Sequence, residues 1–261
     1  MKDRTDLPKR LLVLDIGNTS VTGGLYHRGR VTHVHRIAET RNRTMAASDT
    51  LVDLSKRHEL IDCVISSVVP ELVKPWSRMA KSWTGRQPIL VTHKTPMPVG
   101  VTFPKAGTIG ADRLANACGA YSRYGAPCIV IDIGTALTFD IVKPDLGYIG
   151  GVIGPGLPLM FDYMAEKTAL LPQITPMKLK RSVGKSTEEA MRIGAQLGYR
   201  GMVREILKEV KRELGVRRIN VVATGGYAKW VIPDLDNSIP MDDDLTLYGL
   251  GTIYDYSADD N

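Results

Sequence analysis

The sequence predicts an α/β protein built around strands that end in an Asp-Ile-Gly turn. Two stretches carry that prediction. Residues 128–142, CIVIDIGTALTFDIV, read as an apolar buried strand, a tight polar turn and a returning strand. Residues 11–26, LLVLDIGNTSVTGGLY, repeat the arrangement: an Asp closing an apolar strand, then Ile-Gly, small hydroxyl residues and another strand. Asp15 and Asp132 are therefore the pair to explain. With 261 residues, 43% of them hydrophobic, the chain can bury a real core as one large domain or as two smaller ones sharing a cleft.

Charge and cysteine content narrow the class. The formal net charge of +6 suits an anionic ligand, but the basic residues are dispersed and aromatics make up only 6%. Lys178, Lys180 and Arg181 thus read as solvated surface, and nucleic acid is not an expected partner. Cys63, Cys118 and Cys128 are odd in number, lack metal-ligand spacing and lie in apolar surroundings, which implies a reducing cytosol. The opening MKDRTDLPKR is basic, yet the following LLVL is broken at once by Asp15, too short for a signal peptide. No apolar run is long enough to span a bilayer, so no membrane association is expected.

The elements follow in order. After LLVLDIG come SVTGGLYH, a turn at Gly29 and VTHVHRI, a meander of strands. His33 and His35 share a face of the last strand by alternation, but no third ligand follows with usable spacing, and they read as exposed strand residues. A helix is expected over residues 44–60 after Thr44, then a strand over CVISSVVP that Pro70 terminates. A second helix should run from Pro70 to Thr84 and stop at Gly85, followed by the strand PILVTH and a Pro/Gly-rich loop over residues 94–108. That loop leads into Gly110, Ala111, Asp112 and Arg113 and the helical run LANACGAYSRY. Asp112 in a first helical turn can serve as a cap, its carboxylate accepting backbone N–H groups. The long irregular loop before it and Asp132 one helix and strand later also suit a ligand site, at the carboxyl ends of strands where α/β sheets bind.

Beyond the second turn, GGVIGPG is dense enough in Gly and Pro for close backbone approach to a ligand, and a helix follows over residues 157–170 with Met160 and Met164 in the core. GKST at 184–187 resembles a phosphate loop but lacks the earlier glycine, Leu179 standing in its place, and a preceding strand. Ser186 with Glu189 reads better as a capping box opening a helix over about residues 187–214, a substrate contact from Lys185 or Thr187 being the alternative. INVVATGG is a buried strand ending in Thr224, Gly225 and Gly226, glycines that admit either a ligand or tight packing. The last stretch, DDDLTLYGLGTIYDY, should form a helix covering the sheet, with SADDN as a frayed tail.

Together these features point to phosphoryl transfer. The two turns offer backbone N–H groups and the hydroxyls of Thr19, Thr135 and Thr138, with Asn18, to cradle phosphate. Polyphosphate oxygens need cations, so Asp15 or Asp132 would hold a metal, while Asp112 could orient a hydroxyl and take its proton.

The order DIGNT, SSVVP, GADR, DIGTALTFD, GGVIGPG, TALLP, GKST and ATGG, with DLTLYGL near the end, resembles the type III pantothenate kinases of the acetate kinase, Hsp70 and actin superfamily. The resemblance runs over nearly the whole chain, and GADR combined with the second DIGT and GKST is its most specific part. It implies two ribonuclease H-like, actin-like ATPase domains, residues 1–114 and 115–261, around a central cleft. The implied reaction is ATP-dependent phosphorylation of pantothenate to 4'-phosphopantothenate, the first step of coenzyme A biosynthesis, in a cytoplasmic homodimer whose pantothenate site lies near the subunit interface. The resemblance makes Asp15, Ile16, Gly17, Asn18, Thr19, Ser20, Val21 and Thr22 the first ATP phosphate loop and places Thr135 on ATP. Asp112 becomes the proton acceptor, with Phe103, Gly110, Ala111, Arg113 and Thr187 as substrate-binding residues. Asp132 would coordinate K⁺ or NH₄⁺, and Mg²⁺ accompanies ATP with Asp15 as its candidate ligand. Where the family commonly carries a tyrosine nine positions before the GADR aspartate, this chain has Phe103, and the usual Pro of that segment is displaced; a hydrogen bond worth roughly 0.5–1.5 kcal/mol would go with the phenol. A nucleotide-binding transcriptional accessory protein without turnover is the alternative implied by the same fold. The intact Asp15, Asp112 and Asp132 favour the enzyme.

Overall fold

The computed structural model describes residues 9–38 and 46–259. The opening residues 1–8 and the predicted helix start at Thr44 lie outside them. The chain divides into two compact units: one holds the chain up to Gly125, Pro144–Ile149 and the chain from Asp244 onward, the other Ala126–Lys143 and Gly150–Asp243. The expected boundary between residues 114 and 115 falls inside a helix, α3 (Ala111–Tyr124), whose buried face continues from Leu114 through Ala115, Ala117 and Cys118 to Ala120. A helix that packs along one continuous face stays with one unit.

In the first unit β1 (Lys9–Ile16), β2 (Ser20–His27) and β3 (Arg30–Ala38) form an antiparallel meander. After α1 (Ala46–Arg57), β4 (Glu59–Ser67) returns parallel to β1; after α2 (Pro70–Thr84), β5 (Ile89–Leu90) pairs parallel with β4, giving the order β3-β2-β1-β4-β5. Alternation divides the side chains: Leu12, Leu14 and Ile16 of β1 and Cys63 and Ile65 of β4 join Leu51 and Leu54 of α1 and Leu72, Trp76 and Ala80 of α2 in one buried cluster. Asp15 and Ser66, on the alternate positions, face the other side. Glu59 and Leu60, expected in the first helix, belong to β4 instead, because Leu60 is needed in that core. Pro70 opens α2 rather than merely ending β4, in the first-turn position where a missing N–H leaves no bond unmade, and Gly85 closes the helix in the left-handed conformation with φ 75°. PILVTH shortens to two paired residues. The His33 and His35 pair is broken by an irregularity in the β2–β3 register: His33 has φ 52° and its ring meets His58 edge-on at 5.1 Å. Among the described residues no group of three His, Cys, Asp or Glu side chains could hold a metal.

The second unit repeats the plan. β6 (Cys128–Ile133) and β7 (Ala136–Lys143) are antiparallel, β8 (Gly147–Pro155) flanks β7, and β9 (Asn220–Thr224) lies parallel to β6, giving β8-β7-β6-β9. GGVIGPG, dense in Gly and Pro, is largely the end of β8. α4 (Leu157–Lys167) buries only Leu157 and Phe161; Met160 and Met164 are half-buried rather than core, and Tyr163 is 64% exposed. α5 (Thr187–Leu214) has the predicted span and buries Met191, Ala195, Tyr199, Val203 and Leu207, a stripe at successive turns. α6 (Ala228–Leu235) follows β9. Cys63, Cys118 and Cys128 are all free and buried, where desolvation raises the thiols, Cys118 and Cys128 to about 12. Among the described residues no helix is long and apolar enough to cross a membrane.

The final helix, α7 (Leu245–Asp259), belongs to the first unit and packs on its sheet and on α3. Tyr26 Oη donates to Asp255 Oδ2 at 2.5 Å, Arg123 Nη1 donates to Asp244 Oδ1 at 2.7 Å, and the Arg123 guanidinium lies 3.7 Å from the Tyr248 ring centroid. Thr246 Oγ1 donates to the fully buried Asn116 at 2.7 Å. The tail expected to fray is helical through Asp259, and Ser257 Oγ reaches Pro96 O at 3.1 Å. The helices cross at glycines: a Cβ on Gly249 would lie 1.9 Å from Ala115 O, and one on Gly119 2.7 Å from Leu245 O. Gly249→Ala must push α7 off α3 and should destabilise by about 1–3 kcal/mol. Urea unfolding would read this as a lower midpoint, and an unchanged midpoint would contradict the crossing.

Candidate active site

Each unit carries its Asp at the carboxyl end of a central strand, and in each the pairing register surrounds it with hydroxyls. In the first unit Asp15 is opposite Thr22 on antiparallel β2 and opposite Ser66 on parallel β4. In the second, Asp132 is opposite Thr138 on β7 and Thr224 on β9. Partners in register on adjacent strands project to the same face, so the arrangement is hydroxyl, carboxylate, hydroxyl both times. The repeated sequence predicted the Asp and the hydroxyl on the returning strand. Ser66 and Thr224 come from strands far along the chain, and only sheet formation aligns them.

The turns differ by one residue. Gly17, Asn18, Thr19 and Ser20 connect the paired Ile16 and Val21, whereas Gly134, Thr135 and Ala136 connect Ile133 and Leu137. Gly17 N–H donates to Ser20 O at 2.9 Å and Gly134 N–H to Ala136 O at 3.0 Å, so both glycine donors close their own turns. Ile16 and Val21 bury their side chains, Asn18 and Thr19 are exposed, and Ser20 Oγ accepts from Arg36 Nε at 3.1 Å. Polar reach from this loop therefore lies with Asn18, Thr19 and Thr22.

Glycines press tightly on the second turn. A Cβ on Gly156, at the start of α4, would meet Thr135 O at 2.0 Å; one on Gly225, where φ is 93°, would meet Asp132 Oδ1 at 2.4 Å. The close approach expected of GGVIGPG and ATGG toward a ligand is, at these two positions, an approach to the turn itself. Beside Asp132, Thr138 Oγ1 donates to Asp140 Oδ2 at 3.3 Å, and Asp140 is fully buried. Tyr199 of α5 is fully buried, with no hydrogen-bond partner for its hydroxyl among the described residues; burial and the Asp132 charge both raise its phenol. The oxygen donors around Asp132 fit a hard cation that takes carboxylate and hydroxyl ligands, and a single carboxylate such as Asp15 fits Mg²⁺, which keeps waters and shares phosphates.

Asp112 occupies the second position of α3, with Gly110 as the N-cap. Its Oδ1 accepts from Arg113 N at 2.8 Å and curls back over Gly110, where a Cβ would lie only 2.4 Å away. Glycine two residues before the aspartate is thus a steric requirement for this carboxylate position. Burial raises the Asp112 carboxyl above its ordinary value, and the Arg113 N–H and charge pull it back only in part. Asp112 lies at the same edge of the first sheet as Asp15: the Gly110 Cβ position is 3.4 Å from Val68 Cγ1, and Val68 N donates to Ile16 O at 3.1 Å. Phe103 is half-buried and meets Tyr148 edge-on at 6.4 Å, and the Arg113 guanidinium lies 5.9 Å from the same ring. Tyr148, which carried no signal in the sequence, therefore joins the two predicted substrate residues.

GKST forms a helix cap. Ser186 Oγ accepts from Glu189 N at 3.2 Å and Glu189 Oε2 accepts from Lys185 N at 2.7 Å, while a Cβ on Gly184 would meet Ala190 N at 2.4 Å. The box closes on the N–H of Lys185, one residue earlier than the cap itself. Thr187 opens α5 with its side chain exposed.

Residues 11–209 match the sequence profile of type III pantothenate kinases. The type III pantothenate kinase of Akkermansia muciniphila is 46% identical over 187 residues, covering 72% of this chain and 75% of that protein. That of Thermomicrobium roseum is 34% identical over 251 residues, covering 94% and 96%. The activator of 2-hydroxyisocaproyl-CoA dehydratase from Clostridium difficile, solved with bound ADPNP, has the same fold with a TM-score of 0.54 at 13% identity, covering 96% of this chain and 97% of that one. A ROK family glucokinase from Streptomyces griseus shares the fold as well, with a TM-score of 0.52 at 14% identity, covering 92% of this chain and 97% of that one. By its motifs, its sheets and this similarity along nearly its whole length, the chain belongs to the type III pantothenate kinase family.

Proposed function

We propose that this protein transfers the γ-phosphoryl group of ATP to the hydroxyl of pantothenate, forming 4'-phosphopantothenate at the entry to coenzyme A biosynthesis. The observation that best supports the chemistry is the Asp112 carboxylate folded over Gly110 at the head of α3, with its basicity raised by burial. Asp112 accepts the proton of the attacking hydroxyl as the new P–O bond forms and the bond to the ADP oxygen breaks. Gly110, Ala111 and Arg113 present the pantothenate side, with Phe103 contributing an apolar edge where a tyrosine is common, and Thr187 adds a hydroxyl. The turn formed by residues 15–22 and Thr135 engage the ATP phosphates, Asp15 on the Mg²⁺ side. Asp132 holds K⁺ or NH₄⁺. These cations would neutralise the charge of the transferring group, and the protein's own part is positioning and proton removal. A nucleotide-binding regulator without turnover is not favoured, since the three carboxylates are intact and the matching relatives are named as kinases.

On the same proposal the enzyme is a cytoplasmic homodimer. Support comes from the apolar side chains around α4 and the stretch after it: Ile153 is 65% exposed, Tyr163 64%, Leu170 90% and Val183 70%. A second copy of the chain would have these side chains to cover.

With ATP, Mg²⁺, K⁺ and pantothenate the protein should form phosphopantothenate, and absence of product under K⁺ and NH₄⁺ alike would sink the proposal. Asp112→Asn should lower kcat by about 10²–10⁴-fold. It should also remove the acid limb of the kcat/KM profile, which in the parent enzyme lies above the ordinary aspartate value. The sign for stability runs the other way: a folded-state value raised by burial means that ionisation disfavours folding as pH rises through the shifted range. The Asn variant should therefore melt no lower than the parent at pH 7. Exchanging K⁺ or NH₄⁺ for Na⁺ should depress turnover, and indifference would remove Asp132 from the cation role. Light scattering should give twice the chain mass; a monomer of full activity would refute the dimer.

A further inference from the structure

Ser66 is wholly buried, and its Oγ has no hydrogen-bond partner among the described residues. A hydroxyl so placed carries a desolvation penalty that alanine would avoid. Three observations indicate what it serves. Ser66 is in register with Asp15 on the parallel β1–β4 pair, where strands about 4.8 Å apart bring side chains of the same face within reach after a rotation about χ1. Its face is the one opposite the α1–α2 core, since Ile65 and Cys63 occupy that core on the alternate positions. The second unit has a hydroxyl in the same place: Thr224 beside Asp132 on the parallel β6–β9 pair, only 3% exposed. Two sheets unlike in helices and loops thus share one feature at this point.

We propose that Ser66 is a positioning residue for Asp15, its Oγ–H donating to the Asp15 carboxylate when the Mg²⁺-nucleotide complex is bound. A carboxylate on the cation side has two oxygens to orient; a rotation that aims one at the nucleotide side can bring the other to β4, where Ser66 is the hydroxyl in register. The hydrogen bond fixes the rotamer and favours the ionised form. This rests on the role of Asp15 given above.

Ser66→Ala removes the donor, and Ser66→Cys keeps most of the volume with a weak donor. Both should melt at or above the parent temperature without ligand, because the orphan hydroxyl is gone. Both should lose at least half of the rise in melting temperature that Mg·ADP gives the parent. In turnover, KM for Mg·ATP should rise about tenfold, as expected for a lost hydrogen bond to a charged group, while KM for pantothenate stays put. Parent-like Mg·ADP shifts and KM values in both variants would overturn the inference and leave the kinase assignment standing. Full recovery by Cys of a defect seen in Ala would also overturn it, showing that Ser66 only fills space. Absence of any Mg·ADP shift in the parent would overturn the role of Asp15 and the inference with it.

Discussion

A central strand that ends on a carboxylate, between an antiparallel neighbour that turns straight back and a parallel neighbour that arrives from a distant segment, is the constraint behind both units. The antiparallel neighbour costs only a short turn, so Asp15 meets Thr22 and Asp132 meets Thr138 within a few residues. The parallel neighbour needs a crossover with a helix, so β4 follows α1 and β9 follows α5. Sheet geometry then places Ser66 and Thr224 without any local sequence cue. Because neighbouring residues on a strand face opposite ways, the same register that exposes the carboxylate edge sends Ile16 and Ile133 into the core, where both are fully buried.

Absence of a Cβ is the second recurring device. Gly110 makes room for the Asp112 carboxylate, Gly225 and Gly156 let chain segments close on the second turn, and Gly249 lets α7 lie on α3. In each case the neighbour is a backbone carbonyl or a carboxylate oxygen, groups that cannot retreat without losing hydrogen bonds. α7 is held further by Arg123 and Asp244 and by Thr246 on Asn116, one helical turn beyond Asp112. The last helix of the chain thus steadies the helix that carries the proposed base.

GKST shows how a familiar pattern acquires a different role from its surroundings. A phosphate loop leaves its N–H groups to the ligand, whereas here Ser186 and Glu189 capture the N–H groups at the start of α5. The capping box was legible from the Ser and Glu spacing alone, because capping is local chemistry over three residues. The same holds for Gly85 closing α2 and for the two Asp-Ile-Gly turns.

Sequence alone thus determined what depends on neighbours along the chain: strand ends, turns, caps, the span of α5, and through the ordered motifs the family. It misjudged Met160 and Met164 because apolar spacing marks a helix face without saying whether anything covers it, and it carried the first helix too far because Leu60 suits a strand core equally well. Tertiary structure alone decided that the last helix serves the first unit, that Tyr148 stands between Phe103 and Arg113, and that the chain divides after α3. It alone also set Ser66 and Thr224 beside the two carboxylates. These contacts join residues separated by whole elements, and their partners are chosen by register and by the burial of opposite faces, quantities that exist only once the sheets have formed.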